Sequence, residues 1–174
     1  MKVTGRERVL TPRLICERIM LEHTPEITVL ATDPRVAATL YADGQPLDEA
    51  QISLGLTLKV RHWEQHGFGD WLLRDRGTGA LVGRGGLQWT RVEGEPEVEV
   101  GYALRPERWG EGLATELAQQ SVTTAFDDLG LAEIVAFTLP HNVASRRVME
   151  KAGFGFERNI VHAGLPHVLY RRRP

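Results

Sequence analysis

The hydrophobic pattern of the chain changes its period at a pair of closely spaced glycines, and this change restricts the fold more than any other feature. After Gly110 and Gly112, apolar residues recur every three to five positions, which is typical of a helix packed on one side. The sequence therefore predicts a strand that runs through a glycine-rich turn into a helix. The alternating apolar residues of the strand are Val98, Val100, Tyr102 and Leu104, and those of the helix are Leu113, Leu117, Val122, Ala125, Phe126 and Leu129.

Glycine at the start of a helix has a chemical use as well as a structural one. The first backbone N–H groups of a helix have no partner within the helix, and they lie at the positive end of its dipole. Gly110 and Gly112 would let a diphosphate approach these groups without a Cβ atom in the way. A tight turn without a ligand is the alternative interpretation.

The remaining pattern predicts one mixed sheet with helices, in the order β-α-α-β-β-β-α-β-α-β-β. Hairpins require antiparallel pairs, whereas strand-helix-strand crossovers favour parallel ones. Strands are predicted in residues 13–20, 70–89 as a hairpin about Gly77-Thr78-Gly79, 97–104, 132–139 and 154–173 as a second hairpin. Helices are predicted in residues 24–39 with a break at Asp33-Pro34, in 48–66, from Gly112 to Gly130, and in 143–153 after the cap Asn142.

Composition limits the class of protein. A chain of 174 residues with a net charge of −2 predicts a single domain over residues 1–174. Acidic residues balance the basic ones and no basic stripe is present, which argues against a nucleic-acid partner. The start of the chain lacks the apolar run of a signal peptide or membrane span, so we expect no membrane partner and a cytoplasmic location. Cys16 has no neighbour at metal-ligand spacing, and Arg171 to Arg173 are predicted to be a solvated end.

The glycine turn carries a family resemblance. The stretch Trp109-Gly110-Glu111-Gly112-Leu113-Ala114 resembles the acetyl-CoA loop of the GNAT superfamily of N-acetyltransferases, in the form found in its ribosomal-protein N-terminal acetyltransferase branch. Nucleotide loops fit poorly, because the Lys-Ser/Thr pair is missing and Thr115 replaces the expected small residue. Further along, Asn142 to Ser145 and the exit Gly153-Phe154 resemble the helix motif of the same family.

The resemblance implies a fold and a cofactor. It implies an α/β GNAT fold with a mixed central sheet of about seven strands, helices on both faces, and a splayed fourth and fifth strand (residues 97–104 and 132–139). Acetyl-CoA would be the co-substrate, no metal would be needed, and a homodimer is compatible with the family. The implied cofactor-binding residues are Tyr102, Ala103, Leu104, Trp109, Gly110, Glu111, Gly112, Leu113, Ala114, Thr115, Asn142, Ser145 and Arg146.

Acetyl transfer to an amine needs a base and a proton for the departing thiolate. Glu99 is the first candidate for the base and Glu97 the second, because both project from one face of the strand that ends at the cofactor turn; a water could relay the proton. The position of the tyrosine acid found in many family members holds Met149. Ser145 is therefore the candidate acid, or else a cofactor contact. Minor candidates for the base are His23, His141, His162 and His167.

The acceptor is left open by the sequence. The branch resemblance favours a primary amine at a protein N-terminus, and a small-molecule amine is the alternative. Direct attack within a ternary complex is expected, without a covalent enzyme intermediate. A noncatalytic acyl-CoA-binding regulatory module is the rival interpretation, and Met149 in place of tyrosine favours it.

Overall fold

One open eight-stranded sheet organises residues 5–174, the part of the chain that the computed structural model describes. The spatial order is β1-β2-β3-β4-β5-β6-β8-β7. Within residues 5–174, no helix combines the length and apolar character that crossing a membrane requires. The strands are β1 Arg8–Leu10, β2 Leu14–Arg18, β3 Asp70–Asp75, β4 Leu81–Val92, β5 Glu95–Leu104, β6 Ile134–Thr138, β7 Gly155–His162 and β8 Leu165–Arg172. The α-helices are α1 Thr24–Ala31, α2 Pro34–Leu40, α3 Glu49–His66, α4 Leu113–Thr123 and α5 Val143–Lys151.

The sheet has one more strand than the seven expected. Strand β1 is three residues long and pairs antiparallel with β2, with Val9 opposite Cys16. Such a short strand gives no detectable alternation in the sequence, because two faces need more than three positions to show a period of two. The remaining elements follow the predicted order.

Local capping chemistry sets the boundaries of the N-terminal helices. The Asp33 carboxylate accepts a hydrogen bond from the backbone N–H of Arg35, and Pro34 occupies the first turn of α2. Asp48 and Gln51 form a reciprocal capping box at the start of α3. Gly67 ends α3 in the left-handed conformation, with φ of 74°. These signals explain why the predicted break at Asp33-Pro34 and the start near Asp48 are confirmed.

Helices cover both faces of the sheet, as two positions on β4 show. Gly85 faces α4, since a Cβ atom there would lie 2.5 Å from Leu117 Cδ2. Gln88, three positions along the strand and so on the opposite face, accepts a hydrogen bond of 3.4 Å from Lys59 of α3. Helices α4 and α5 pack against each other. The core on the α4 side includes Val100 and Ala136.

Strands β5 and β6 are parallel neighbours that share a single residue pair, Glu99 opposite Val135. By contrast, β5 pairs with β4 along ten positions. The strands therefore splay apart beyond Glu99, which confirms the predicted mixed sheet and its opening between residues 97–104 and 132–139. All other neighbouring strands pair over at least three residues.

Ion pairs hold the closed end of this splay. Arg171 of β8 donates to Glu97 at 2.8 Å and to Glu133 at 2.7 Å, and it also pairs with Glu157. Its side chain is only 9% exposed. The prediction of a solvated end was therefore wrong for Arg171, because the fold brings this side chain to three carboxylates, on β5, on β7 and just before β6.

Candidate active site

A cavity of about 690 Å³ opens where β5 and β6 diverge. Its walls come from the ends of these strands, the glycine turn, the start of α5 and the tip of the β7–β8 hairpin. The fold therefore brings together segments that are far apart in the sequence. The predicted site residues that line the cavity are Glu99, Tyr102, Ala103, Leu104, Trp109, Gly110, Gly112, Leu113, Ala114, Thr115, Asn142 and Ser145.

Two predicted cofactor-binding residues, Glu111 and Arg146, are not among the cavity-lining residues. The Glu111 carboxylate accepts a hydrogen bond of 2.9 Å from Arg108 Nε. The Arg146 guanidinium donates to Pro140 O and to Tyr170 Oη, both at 3.2 Å. The Arg146 side chain is thus engaged outside the cavity, whereas the Glu111 carboxylate is held by Arg108, a residue of the cavity wall. Of the α5 cations, Arg147 and Lys151 line it instead.

The glycine turn has the backbone conformation that its residues suggested. Gly110 and Gly112 have φ values of 81° and 79°, in the left-handed region that favours glycine. A Cβ atom on Gly110 would meet nothing within 4 Å, so the space beside this backbone is open. Gly112 is the N-cap of α4, and no side chain in the described residues caps that helix end. The unpaired N–H groups there suit an anionic ligand.

Neighbouring contacts hold this turn in place. Trp109 Nε1 donates to Leu104 O at 2.9 Å, which ties the turn to the end of β5. Arg108 pairs with Asp75 of β3 at 2.9 Å. Together with the Arg147 and Lys151 cations in the cavity wall, the open helix end fits the phosphates of CoA. These residues would hold the cofactor on the α5 side of the splay.

Glu99 lies at the last paired position before the splay. Its Oε2 accepts a hydrogen bond of 3.0 Å from Gln88 Nε2 on β4. Burial raises the pKa of Glu99 to about 7, although the Gln88 bond and the nearby Lys59 charge act in the opposite direction. A carboxyl group with this pKa exchanges its proton near neutral pH, which is what a general base needs.

A buried ionic cluster that sequence reasoning missed lies behind Gln88. Asp70 Oδ2 contacts Lys59 Nζ at 2.7 Å and Arg84 Nη1 at 2.9 Å, with the Asp70 side chain only 2% exposed. Burial by itself would raise the pKa of Asp70, but the two cations outweigh it and hold the pKa below its usual value. Lys59 also reaches Gln88 at 3.4 Å, so the cluster positions the partner of Glu99.

Tyr102 has a second feature that sequence reasoning missed. The sequence predicted a cofactor contact near its backbone, but its hydroxyl lies 2.8 Å from Ser145 Oγ, on the first turn of α5. Burial raises the pKa of Tyr102 to about 12, so the hydroxyl keeps its proton at ordinary pH. Ser145 is held in turn by Asn142, whose Oδ1 accepts from the Ser145 backbone N–H at 3.1 Å. The two hydroxyls form a hydrogen-bonded pair in the cavity wall.

The other candidates for the base occupy different environments. Glu97 pairs with Arg171 at 2.8 Å and does not line the cavity. His23 is buried and accepts from Met20 N–H through Nδ1. His162 and His167 do line the cavity, but burial and the neighbouring His167 lower the pKa of His162. Glu99 is thus the candidate best placed beside the splay.

An open mixed sheet with one splayed parallel pair, and a glycine turn leading into a helix beside the splay, defines an acyl-CoA-dependent transferase. The chain belongs to the GNAT acetyltransferase family, since the family model for the acetyltransferase (GNAT) domain matches residues 13–155. It is therefore an N-acetyltransferase of that family.

Individual relatives extend along most of the chain. The protein YkkB of Bacillus subtilis is 28% identical over 167 residues, covering 92% of this chain and 95% of YkkB. The FsC-acetyl coenzyme A-N(2)-transacetylase of Aspergillus fumigatus is 30% identical over 165 residues, covering 88% of this chain and 67% of that enzyme.

Solved structures show the same fold at lower identity. The ribosomal L7/L12 α-N-protein acetyltransferase RimL, solved with coenzyme A, superposes with a TM-score of 0.78 at 15% identity, covering 95% of this chain and 96% of RimL. An aminoglycoside acetyltransferase with coenzyme A gives a TM-score of 0.75 at 17% identity, with 92% and 94% coverage. Ribosomal-protein acetyltransferases are therefore among the structural neighbours, as the resemblance implied.

Proposed function

We propose that this protein transfers the acetyl group of acetyl-CoA to a primary amine by direct attack within a ternary complex. The observation that carries the proposal is the placement of a carboxyl group with a pKa of about 7, Glu99, and a neutral hydroxyl pair, Tyr102 and Ser145, in the wall of one cavity. Acetyl transfer to an amine requires one group that accepts a proton and one that donates a proton.

Acetyl-CoA supplies the activated acetyl thioester when it is bound. Glu99 takes a proton from the acceptor ammonium, directly or through a water, which frees the nitrogen lone pair to form the new N–C bond. As the C–S bond breaks, the hydroxyl pair of Ser145 and Tyr102 would donate a proton to the sulfur. The second proton, which the nitrogen gives up on becoming an amide, would restore the hydroxyl pair, directly or through a water. Gly110 and Gly112 keep the backbone at the start of α4 open to the phosphates.

A protein N-terminus is the first acceptor that we propose. The name of RimL, which shares the fold, specifies an α-N-protein acetyltransferase. A small-molecule amine is the alternative, and the aminoglycoside acetyltransferase that shares the fold favours it. The buried Met149, at the position where many family members carry a tyrosine, keeps a noncatalytic acyl-CoA-binding module as the rival function.

Amine-dependent release of free thiol separates catalysis from binding alone. Purified protein is expected to bind acetyl-CoA in calorimetric titration with a Kd in the micromolar range, about −8 kcal/mol. It should then release thiol faster in the presence of N-terminal peptides or small amines than in their absence. Binding without amine-dependent release would favour the noncatalytic module, and absence of binding would contradict both functions.

The Tyr102→Phe substitution tests the hydroxyl pair. We expect kcat to fall about 10- to 100-fold, because the variant loses one of two groups that supply the proton to sulfur. The KM for acetyl-CoA should change little, since the Tyr102 backbone is kept. Steady-state thiol release measures both quantities.

Tyr170→Phe is the matched control. Tyr170 is also buried and bonded through its hydroxyl, to Glu150 at 3.1 Å, but it does not line the cavity. Its removal should leave kcat within about twofold, because no reacting group is touched. Equal losses in the two variants would show that Tyr102 acts only through packing.

A further inference from the structure

The charges in the cavity wall are strongly unequal in sign. Among the described residues that line the cavity, Glu99 is the one carboxylate. The cations of the same wall are Arg84, Arg108, Arg147 and Lys151, of which Arg108 is already paired with the carboxylates of Asp75 and Glu111. An acceptor that enters this cavity therefore meets one negative side chain, and the proposed reaction already assigns that side chain to the reacting amine.

The other three cations divide between the two ends of the cavity. Arg147 and Lys151 belong to α5, next to the turn that we assign to the cofactor phosphates. Arg84 lies on β4, on the face that Gln88 and Glu99 share. CoA phosphates would neutralise the first group, but Arg84 is on the acceptor side of the sheet.

The carboxylate behind Arg84 does not reverse this charge. Asp70 contacts both Arg84 and Lys59 and its side chain is 2% exposed, so one buried carboxylate serves two cations. It does not line the cavity and cannot meet an incoming ligand. The cluster therefore has one cation more than it has carboxylates, and Glu99 is the carboxylate that balances it. Among the described residues of the cluster and the cavity wall, no carboxylate is left over for a second ammonium.

The rest of the described acceptor wall carries no carboxylate. It includes Val36 and Leu40 of α2, Tyr41, and Phe137 at the end of β6. Such a surface accepts apolar or neutral polar groups, but it gives an ammonium no ionic partner. A second ammonium inside the cavity would lose hydration without a carboxylate to replace it.

We infer that the acceptor carries a single amine, and that the part of it entering the cavity beside that amine is uncharged or anionic. This inference rests on the proposed acetyl transfer and narrows its substrate class. It excludes polyamines and other polycationic amines as preferred acceptors. A peptide N-terminus with a neutral or acidic second side chain fits the same description.

Three amines with the same five-carbon chain test the inference: pentylamine, cadaverine and δ-aminovalerate. They present a methyl group, a second ammonium and a carboxylate at the far end. We expect kcat/KM for cadaverine to be at least about tenfold below that for pentylamine, equivalent to about 1.4 kcal/mol. We expect δ-aminovalerate to equal or exceed pentylamine. A cadaverine rate equal to or above that of pentylamine would overturn the inference.

A carboxylate added to the cavity wall should raise kcat/KM for cadaverine relative to that for pentylamine. Thr90 lines the cavity and has no part in the proposed proton transfers. Thr90→Glu is expected to raise kcat/KM for cadaverine relative to pentylamine about fivefold, since an added ion pair near the surface contributes about 1 kcal/mol. Thr90→Gln has the same length without the charge and should leave the ratio unchanged. Equal ratios in both variants would contradict the charge argument.

The proposed function can fail separately from the inference. If acetyl-CoA binds but none of the three amines nor a peptide N-terminus is acetylated, the proposed transfer fails and the inference falls with it. If amines are acetylated and cadaverine is preferred, the transfer stands and only the inference is wrong. The same wild-type assay gives both answers.

Discussion

Replacing Glu99 by glutamine is expected to lower kcat about 10²- to 10³-fold, because the amide cannot accept the proton of the acceptor ammonium. In the wild type, kcat should rise with pH about a midpoint near 7, the pKa that burial gives Glu99. The variant should lack this midpoint. Thiol release between about pH 6 and 9, at saturating concentrations of both substrates, measures the two profiles.

The same substitution is expected to stabilise the protein at alkaline pH. In the unfolded chain Glu99 ionises near its ordinary pKa of 4.5, whereas in the folded state it ionises near 7. Folded protein therefore loses stability as pH rises through this interval, and a neutral glutamine avoids the loss. We expect the free energy of unfolding of Glu99→Gln at pH 8 to exceed that of the wild type by about 1–3 kcal/mol, with no gain below about pH 4.

Glu97→Gln is the matched control, two positions along the same strand. Glu97 bonds to Arg171, so its loss should lower the free energy of unfolding by about 1 kcal/mol. Its kcat should stay within a few fold of the wild type. If Glu99→Gln retained the wild-type kcat, Glu99 would not be the base, and a loss in Glu97→Gln alone would transfer the role to Glu97.

Replacing Asp70 by alanine is expected to lower the free energy of unfolding by about 3–5 kcal/mol, because Lys59 and Arg84 would be left in the interior without the carboxylate that they share. The difference in the free energy of unfolding between the wild type and Asp70→Ala should become smaller in acid. The Asp70 pKa lies below its usual value, so its stabilisation is present above the pKa of the unfolded chain and is lost as pH falls through the lower folded value. Urea unfolding at pH 7 and at about pH 3 measures both differences.

Glu7→Ala is the control for this prediction. Glu7 also pairs with an arginine, Arg18, but its side chain is 67% exposed. An exposed pair contributes little, so the loss should be below about 1 kcal/mol. Similar losses for Asp70→Ala and Glu7→Ala would show that burial of the cluster adds nothing to its energy.

Local chemistry explains the part of the fold that could be predicted. Asp33-Pro34 and Asp48 act on their own helices through caps, and Gly110 and Gly112 act through backbone conformation. Such effects need only neighbouring residues. The alternation in β5 also placed Glu99 and Val100 on opposite faces without knowledge of any partner strand.

The contacts of the site that could not be predicted from the sequence depend on how strands and helices far apart in the chain are aligned. Gln88 lies opposite Glu99 only because β4 and β5 pair in one register. Asp70 of β3 reaches this pair through Lys59 of α3, which contacts both Asp70 and Gln88. Tyr102 was assigned to an apolar face, and its hydroxyl finds Ser145 only when α5 packs beside the splay. Arg171 was assigned to a solvated end for the same reason, since its three carboxylates lie on other segments.

The single residue pair between β5 and β6 also affects how the protein holds together. At this place the backbone contributes almost no ladder, so cohesion depends on the packing of α4 on α5 and on the Arg171 ion pairs. A ligand bonded within the splay would complete the sheet with a molecule that the gene does not encode. A protein built in this way would become more resistant to unfolding and proteolysis as its supply of cofactor rises, so the metabolic state of the cell would help to set its lifetime.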